Sequence, residues 1–574
     1  MSRTCAAQHR APPGARGPNR TRLPVSVAAV PTGETWAPIG FDVAFRSRAM
    51  AATPRKLSAP TLLAALILAC AICLPGAARA AAAPGATPAP GAGEAPAPAP
   101  PPAPSAVPVE LRINPLAPGH PVPARFLGLS FEAQAIDQLG ALGAHGDLVR
   151  LLRSLGPGLL RLGGITADQN IGWSDSVTAR PAWATSVIGP AQMRAIGALA
   201  RRSGWQVLLT VGMAHYEPQS AAREVAAARA ALGRNLFAVE IGNEPDAFGR
   251  HGFRALPWGA QQFEEQVTSY RDAITALTPG VAIVGPDVSG SGAFPEWGFA
   301  EALTQAPVLL TGHHYPLGCT HVPAPSIELL LSPPIRGLEA RSLETYLSIS
   351  RARNIPFRMD ETNSVSCGGV PGVSNTYASA LWAAAYIGQN MAAGTVGVNL
   401  QGNPTNCAGY TPLCAPDPAA LAAGQMRAQP DWYALLLTRS LIGYRPLPTT
   451  ITAAVAPNLV AYGFDGPAHT RKLLLVDEEA PGSLPLALRV PVGAGLGAAR
   501  VLRLTGPSLG ATDGVRLAGH AVAANGKWLA PLRAEHATVR NGLMTLSLKP
   551  ASAALVTIVP AKKKAHRRGA RRGH

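Results

Sequence analysis

The chain has 574 residues and a formal net charge of +17, with 47% hydrophobic residues, 59 glycines and 56 prolines. The charge sits at the ends: residues 1–80 carry +8 and residues 562–574 carry +7, leaving +2 for everything between. A near-neutral body excludes the broad basic face of a nucleic-acid-binding protein, and the length allows two to four domains.

Met50 reads as a start site. Arg55 and Lys56 form a basic n-region, 62–74 an apolar run and Ala78-Arg79-Ala80 a small-x-small cleavage site, so 50–80 is predicted to be a secretory signal peptide. Residues 1–49 then read as upstream sequence ahead of a wrongly chosen start codon, or as an extended n-region. The 62–74 run falls short of the ~20 residues that span a bilayer, so no integral membrane segment is expected in the mature chain. The expected location is secreted, extracellular. Residues 81–108 are almost entirely Ala, Pro, Gly and Ser, a composition that cannot bury enough apolar surface to fold, and are predicted to be a disordered linker.

From residue 126 onward, strand-length apolar runs alternate with amphipathic stretches of helical length, the pattern of parallel strands joined by crossover helices. Strands are predicted at 126–131, 159–162, 207–211, 238–241, 281–284, 309–311, 357–360 and 396–400. Helical segments between them include 221–232, 261–277, 338–353 and 376–393. Eight such strands close a (β/α)8 TIM barrel of the α/β class, assigned to 109–445. Residues 446–560 carry short alternating runs at 458–464, 472–476, 487–492, 501–504, 543–548 and 553–558, separated by Gly and Pro, and predict a C-terminal β-sandwich domain. The last stretch, 561–574, holds seven Lys/Arg and no acid, and reads as a basic disordered tail. Its expected partner is an anionic wall polymer or acidic polysaccharide, which would make the protein cell-wall associated; the alternative is a merely solvated charged end.

Two motifs present a Glu where an apolar run stops. Ile241-Gly242-Asn243-Glu244-Pro245-Asp246 ends the fourth predicted strand, and Arg358-Met359-Asp360-Glu361-Thr362-Asn363-Ser364 the seventh. Strand C-termini carry the chemistry of such barrels. Two carboxyl groups facing each other across a glycosidic bond are the usual equipment for hydrolysing it. Glu132, ending the first strand, and Asp168, after the second, are expected at the same mouth, binding outer hydroxyls of a carbohydrate substrate. Neither a nucleotide, a flavin nor a metal motif is present, so no cofactor is predicted. Adjacent His313 and His314 point to opposite faces of a strand and cannot easily share an ion; one is expected to orient the site while its neighbour packs, and His314 is counted with the site.

Five motifs in chain order give a family resemblance. Leu160-Arg161-Leu162-Gly163-Gly164, Gly242-Asn243-Glu244-Pro245, Gly312-His313-His314-Tyr315, Glu361-Thr362-Asn363-Ser364 with Gly368-Gly369, and Ser374-Asn375-Thr376-Tyr377-Ala378-Ser379-Ala380-Leu381-Trp382 resemble glycoside hydrolase family 79. That family contains β-glucuronidases and heparanase and belongs to the clan A retaining glycosidases; the likeness covers roughly residues 107–560. It implies Glu244 as acid/base and Glu361 as nucleophile, about 5–5.5 Å apart, with Tyr315 orienting Glu361 and Asn243 reaching the sugar 2-hydroxyl. It also implies that a strand from the 109–124 stretch joins the sandwich.

In the family's glucuronidases the sugar carboxylate is held by a Gly-Tyr pair after strand eight, matched here by Gly409-Tyr410, and by a tyrosine five residues beyond the nucleophile. Ser366 stands at that second position, with Cys367 and Gly368 following, whose amides could assist. Four cysteines, Cys319, Cys367, Cys407 and Cys414, lie outside the leader and the stretch before it. An even number in an exported chain points to disulfides with three possible connectivities. Loop adjacency around the rim favours Cys319 with Cys367 and Cys407 with Cys414. The expected function is a secreted exo-β-glucuronidase acting on polysaccharide or glycoconjugate. The alternatives are a β-glycosidase for a neutral sugar such as a glucoside or xyloside, and a catalytically silent carbohydrate-binding protein.

Overall fold

The protein is described by a computed structural model covering residues 105–528 and 534–561. The expected leader, the stretch before it, most of the linker and nearly all of the basic tail lie outside the described residues.

Eight parallel strands close a barrel in chain order: Leu127–Glu132, Leu159–Gly163, Gln206–Val211, Leu236–Ile241, Ile283–Val288, Leu310–His314, Phe357–Thr362 and Val398–Gly402. Each matches one predicted strand, with the fifth and sixth running further toward their C-terminal ends. The chain reads as near-continuous apolar runs there because both faces of a barrel strand are covered. Alternation still decides which residue goes inward. On strand two Leu160 and Leu162 pack outward with the helices, while Leu159 joins Leu208, Ala238, Val284 and Leu309 in a separate inner cluster. Two residues beyond Leu159, the same periodicity sends Arg161 inward, where it meets Glu240 of strand four. The N-terminal end of the lumen thus holds an apolar cluster beside the buried Arg358, which donates to Asn399 Oδ1 at 2.7 Å and to Phe126 O at 3.2 Å, and the charge toward the mouth gathers on Arg161.

The C-terminal region and the strand Val107–Ile113 form one eleven-stranded sheet. Val107–Ile113 pairs antiparallel with Thr449–Thr452 and parallel with Leu486–Pro491. Leu111, Leu473, Leu475, Val490, Val556 and Ile558, from strands far apart in the order, share one core, so the sheet folds over on itself. Intervening residues face the barrel: Leu474, Val476 and Leu555 belong to the main core with the helix Tyr377–Ala393. A Cβ on Gly388 of that helix would lie 2.6 Å from Tyr462 and 2.7 Å from Leu474 side-chain atoms, so glycine permits the close approach. Among the described residues no helix is long and apolar enough to cross a membrane.

Candidate active site

Arg161 organises the barrel mouth. Fully buried, it reaches Glu240 (3.0 Å), Asp287 (2.6 Å), Asp360 (3.4 Å) and Glu361 (2.5 Å), and donates to Asn243 Oδ1 at 2.8 Å. Strict alternation would send Asp360 and Glu361 to opposite faces. Instead the pairing register shifts between Met359 and Glu361, a bulge that brings both carboxylates to the same guanidinium. Glu361 also accepts from Tyr315 Oη at 2.8 Å, and the Tyr410 hydroxyl lies 3.4 Å beyond. Burial, then Glu361 and Tyr410, hold the Tyr315 phenol well above its usual range, so it serves as a donor.

Glu244 stands opposite. It occupies the left-handed region at φ +50°, and its amide donates to Asp287 O at 2.9 Å. A non-glycine residue held there is strained by about 1–3 kcal/mol and persists where its surroundings dictate it. The side chain, 22% exposed against 9% for Glu361, meets His313 Nδ1 at 2.9 Å. His313 Nε2 lies 2.7 Å from Asp287 Oδ1. Burial opposes charge on this ring, but Asp287 and Glu361 outweigh it and raise its pKa well above the ordinary value. Both ring nitrogens face carboxyl oxygens, an arrangement that favours the protonated ring and lets it donate on both sides. Asp287 shows the converse: burial pushes its pKa up, yet Arg161 and His313 together hold it well below the usual carboxylate range. Burial, Glu240 and Asp287 push Asp360 well above that range, so the mouth does not carry a full complement of negative charge.

One cavity of about 700 Å³ takes in Glu132, Asn243, Glu244, Tyr315, Glu361, Ser366, Gly368 and Tyr410. Oxygen atoms of Glu244 and Glu361 approach within 4.8 Å of each other and of His313. Asp287, His313 and Asp360 form a second close set. Both sets depend on His313, whose two ring nitrogens face Glu244 at 2.9 Å and Asp287 at 2.7 Å. The Asn243 side-chain amide, its oxygen taken by Arg161, is left to donate into the cavity.

Glu132 accepts from Thr166 N (3.0 Å), Thr166 Oγ1 (2.7 Å) and Gln401 Nε2 (3.3 Å). Burial and then Glu361 raise its carboxyl to about 7. Gly164, just past strand two, makes its room: a Cβ there, at φ +69°, would fall 2.4 Å from a Glu132 oxygen.

Three expectations need correction. Asp168 does not face a substrate. It is fully buried and accepts from the amides of Met213 (2.6 Å), Ala214 (2.8 Å) and Asn243 (2.7 Å), fastening the turn that carries Glu244. His314 does not orient the site. It stacks on Tyr386 and meets Ser342 Oγ at 3.1 Å, while His313 takes the inward place. The amides of Gly409 and Tyr410 are not free for a ligand, since they donate to Asn406 Oδ1 (3.3 Å) and Gly368 O (3.0 Å); the pair offers the cavity only the Tyr410 ring and hydroxyl. Sequence reasoning also passed over Arg161, Asp287 and Glu240. Arg161 was legible as the one cation in an inward register of strand two, whereas Asp287 follows Gly285-Pro286 and gave no periodic signal.

Cys319 pairs with Cys367 and Cys407 with Cys414, the second closing a seven-residue span around Tyr410.

The chain shares its fold with solved barrel glycosidases. A 4-O-α-L-rhamnosyl-β-D-glucuronidase from Fusarium oxysporum 12S, in its Rha-GlcA complex, is 20% identical, aligns over 78% of this chain and 100% of its own, and has a TM-score of 0.62. A GH51 arabinofuranosidase from Xanthomonas axonopodis pv. citri is 13% identical over 79% of this chain and 100% of its own, with a TM-score of 0.57. A family 51 α-L-arabinofuranosidase from Bifidobacterium longum is 16% identical over 78% and 99%, also at 0.57. No protein-family signature and no curated protein sequence matches the chain.

Proposed function

We propose that the protein is a retaining exo-β-glycosidase of the family 79 type, acting on β-glucuronides of polysaccharide or glycoconjugate. Glu361 attacks the anomeric carbon as the glycosidic C–O bond breaks, and the leaving oxygen takes its proton from Glu244. In the second half Glu244 removes a proton from water, whose oxygen attacks the same carbon and releases Glu361. The observation that carries this reading is the facing pair: carboxylate oxygens from strands four and seven within 4.8 Å, one held by Arg161 and Tyr315, the other by His313. That closeness suits the pair of a retaining enzyme, whose carboxyl groups stand about 5–5.5 Å apart, better than the wider pair of an inverting one. Asn243 is placed to donate to the sugar 2-hydroxyl and Glu132 to bind hydroxyls further out. The uronic acid assignment draws on Gly409-Tyr410 and on the named activity of the Fusarium neighbour. The leader and basic tail support export, with the tail holding an anionic wall polymer or acidic polysaccharide.

A second reading, a neutral glycone such as glucose or xylose, is favoured by one observation. The cavity lining contains Glu132, Glu244 and Glu361 but neither Lys nor Arg. Hydrolysis of 4-nitrophenyl β-glucuronide, β-glucoside and β-xyloside by the full chain decides between them, with NMR of the first-formed anomer reading the stereochemistry. The proposal expects glucuronide preference, a β product and loss of turnover in Glu361→Ala. Preference for a neutral glycoside removes the uronic acid assignment, and an α first product removes the retaining mechanism.

A further inference from the structure

At the end of the barrel away from the mouth, the connections that lead from a helix into strands two to eight are 156–158, 204–205, 233–235, 278–282, 305–309, 354–356 and 394–397. None of them contains Asp or Glu. A cavity of about 740 Å³ opens there, and three arginines line it: Arg125 just before strand one, Arg201 near the end of the helix Pro190–Ser203, and Arg234 in the turn Gly233–Asn235. Its lining holds no carboxylate. Gly204 and Gly233 also line it, and a Cβ on either would meet nothing within 4 Å, so the space between the guanidiniums is open.

Other arginines near helix ends are already engaged. Arg351 pairs with Glu344, and Arg202 donates to Gly143 O and Ala144 O. Around the cavity, Arg201 gives one N–H to Ala231 O at 2.7 Å, the ordinary tie of a cation to a helix C-terminus. Its remaining donors, and the guanidiniums of Arg125 and Arg234, reach no acceptor among the described residues. Arg125 Nε is buried as well, and a buried donor without an acceptor is costly. The backbone that carries these side chains is held: Arg358 Nη1 donates to Arg125 O, and Gln206 Nε2 to Arg234 O, each at 3.0 Å.

We propose that this cavity is a second carbohydrate site, which holds the carboxylates of an acidic polysaccharide through Arg125, Arg201 and Arg234. Planar guanidiniums take carboxylates in paired, charge-assisted hydrogen bonds, and three of them around one open space can grip successive acidic groups of a chain. No aromatic side chain lines the cavity for bases to stack on, and three cations are too few for the phosphate-tracking face of a nucleic-acid binder. Strand three runs from Gln206 at the cavity to Val211 toward the mouth, roughly 17 Å at the rise of a β-strand. The site therefore does not touch the bond being cleaved; it tethers the polymer and raises the concentration of its ends near the mouth. The choice of a glycan rests on the glycosidase reading, while the site stands apart from the glycone assigned to the mouth.

The test is the affinity of the full chain for polygalacturonate, against that of Arg125→Gln/Arg234→Gln and of Arg234→Gln alone. The basic tail is present in all three proteins, so a difference between them belongs to the cavity. The double variant should bind about tenfold or more weakly and with a shallower dependence on salt, while kcat/KM for 4-nitrophenyl glycosides stays at the wild-type value. A thermal melt checks folding; if the double variant fails it, the exposed Arg234→Gln carries the test with a smaller loss in the same direction. Equal affinity in every folded variant overturns the site and leaves the chemistry of the mouth untouched. Tighter arginine-dependent binding of polyphosphate than of polygalacturonate overturns the glycan assignment. Arginine-dependent binding of polygalacturonate by a chain that hydrolyses none of the 4-nitrophenyl glycosides supports the site and removes the glycosidase reading instead.

Discussion

Arg161 gathers four carboxyl groups, Glu240, Asp287, Asp360 and Glu361, around one buried guanidinium. Removing one partner of a buried ion pair costs about 3–5 kcal/mol, because the other charge is left buried and unpaired. Arg161→Met should therefore abolish activity and lower thermal stability together, read by a melt alongside turnover; wild-type melting in an inactive variant would confine the residue to chemistry. His313 separates the two effects more cleanly. Among the described residues its Nδ1–H is the one donor to the Glu244 carboxyl group, so His313→Gln should lower kcat/KM, which reads the bond-breaking half, by about 10²-fold on a 4-nitrophenyl glycoside. A 2,4-dinitrophenyl glycoside leaves without protonation and should lose far less. Equal losses on both substrates would show that His313 supports Glu361 or the fold rather than proton donation. The two glutamate motifs were legible because each ends an apolar run, while the roles proposed for Glu244 and Glu361 rest on the family resemblance and alternation alone would not turn Glu361 inward beside Asp360. Their partners were less so: choosing between His313 and His314 needed the phase of strand six, and Asp168 looks identical in sequence whether its carboxylate meets a sugar or three backbone amides.

At the scale of elements, the barrel strands were readable since long apolar runs between helical stretches have few other destinations. The bulge in strand seven was not, because a register shift depends on both neighbouring strands. Asp360 and Glu361 thus both point at Arg161, which alternation alone denies. Short strands such as Arg445–Leu447, Thr449–Thr452 and Glu535–Arg540 also escaped, being brief and partly exposed, with pairing partners distant in sequence. Loop contacts around the mouth follow from glycine more than from pattern. Gly409→Ala would drive a methyl into Gly368 O and force the loops after strands seven and eight apart. The expected destabilisation is about 1–3 kcal/mol in urea unfolding, with KM rising as the cavity wall shifts. A variant with wild-type stability and KM would mean that the two loops separate without consequence.

Across the whole molecule, carboxylates are buried with little positive charge to meet them. Burial alone raises Glu224 to about 8. Burial also raises Glu339 and Asp431 to about 7, although Trp382 donates to the first and Ser379 and Asn363 lie against the second. Asp477 rises to about 7 and Glu478 to about 8, the latter against the pull of Arg336. A carboxyl whose folded pKa lies above its unfolded value contributes stability that is fully present below the unfolded pKa and is lost as pH rises through the folded one. These five groups therefore favour the folded state in mild acid and withdraw that support between about pH 5 and 8. Two groups set the opposite limit. Burial lowers His314 to about 4, so protonation of the unfolded chain erodes stability as pH falls below the usual histidine range. Asp287, held low by Arg161 and His313, loses its contribution in stronger acid. The melting temperature should peak near about pH 5 and fall by about 5 °C or more toward pH 8. Glu224→Gln should flatten part of that fall, since a neutral amide cannot ionise in the core. A melting temperature that is level or rising from pH 5 to 8 would mean that the buried acids find partners or water that relieve them.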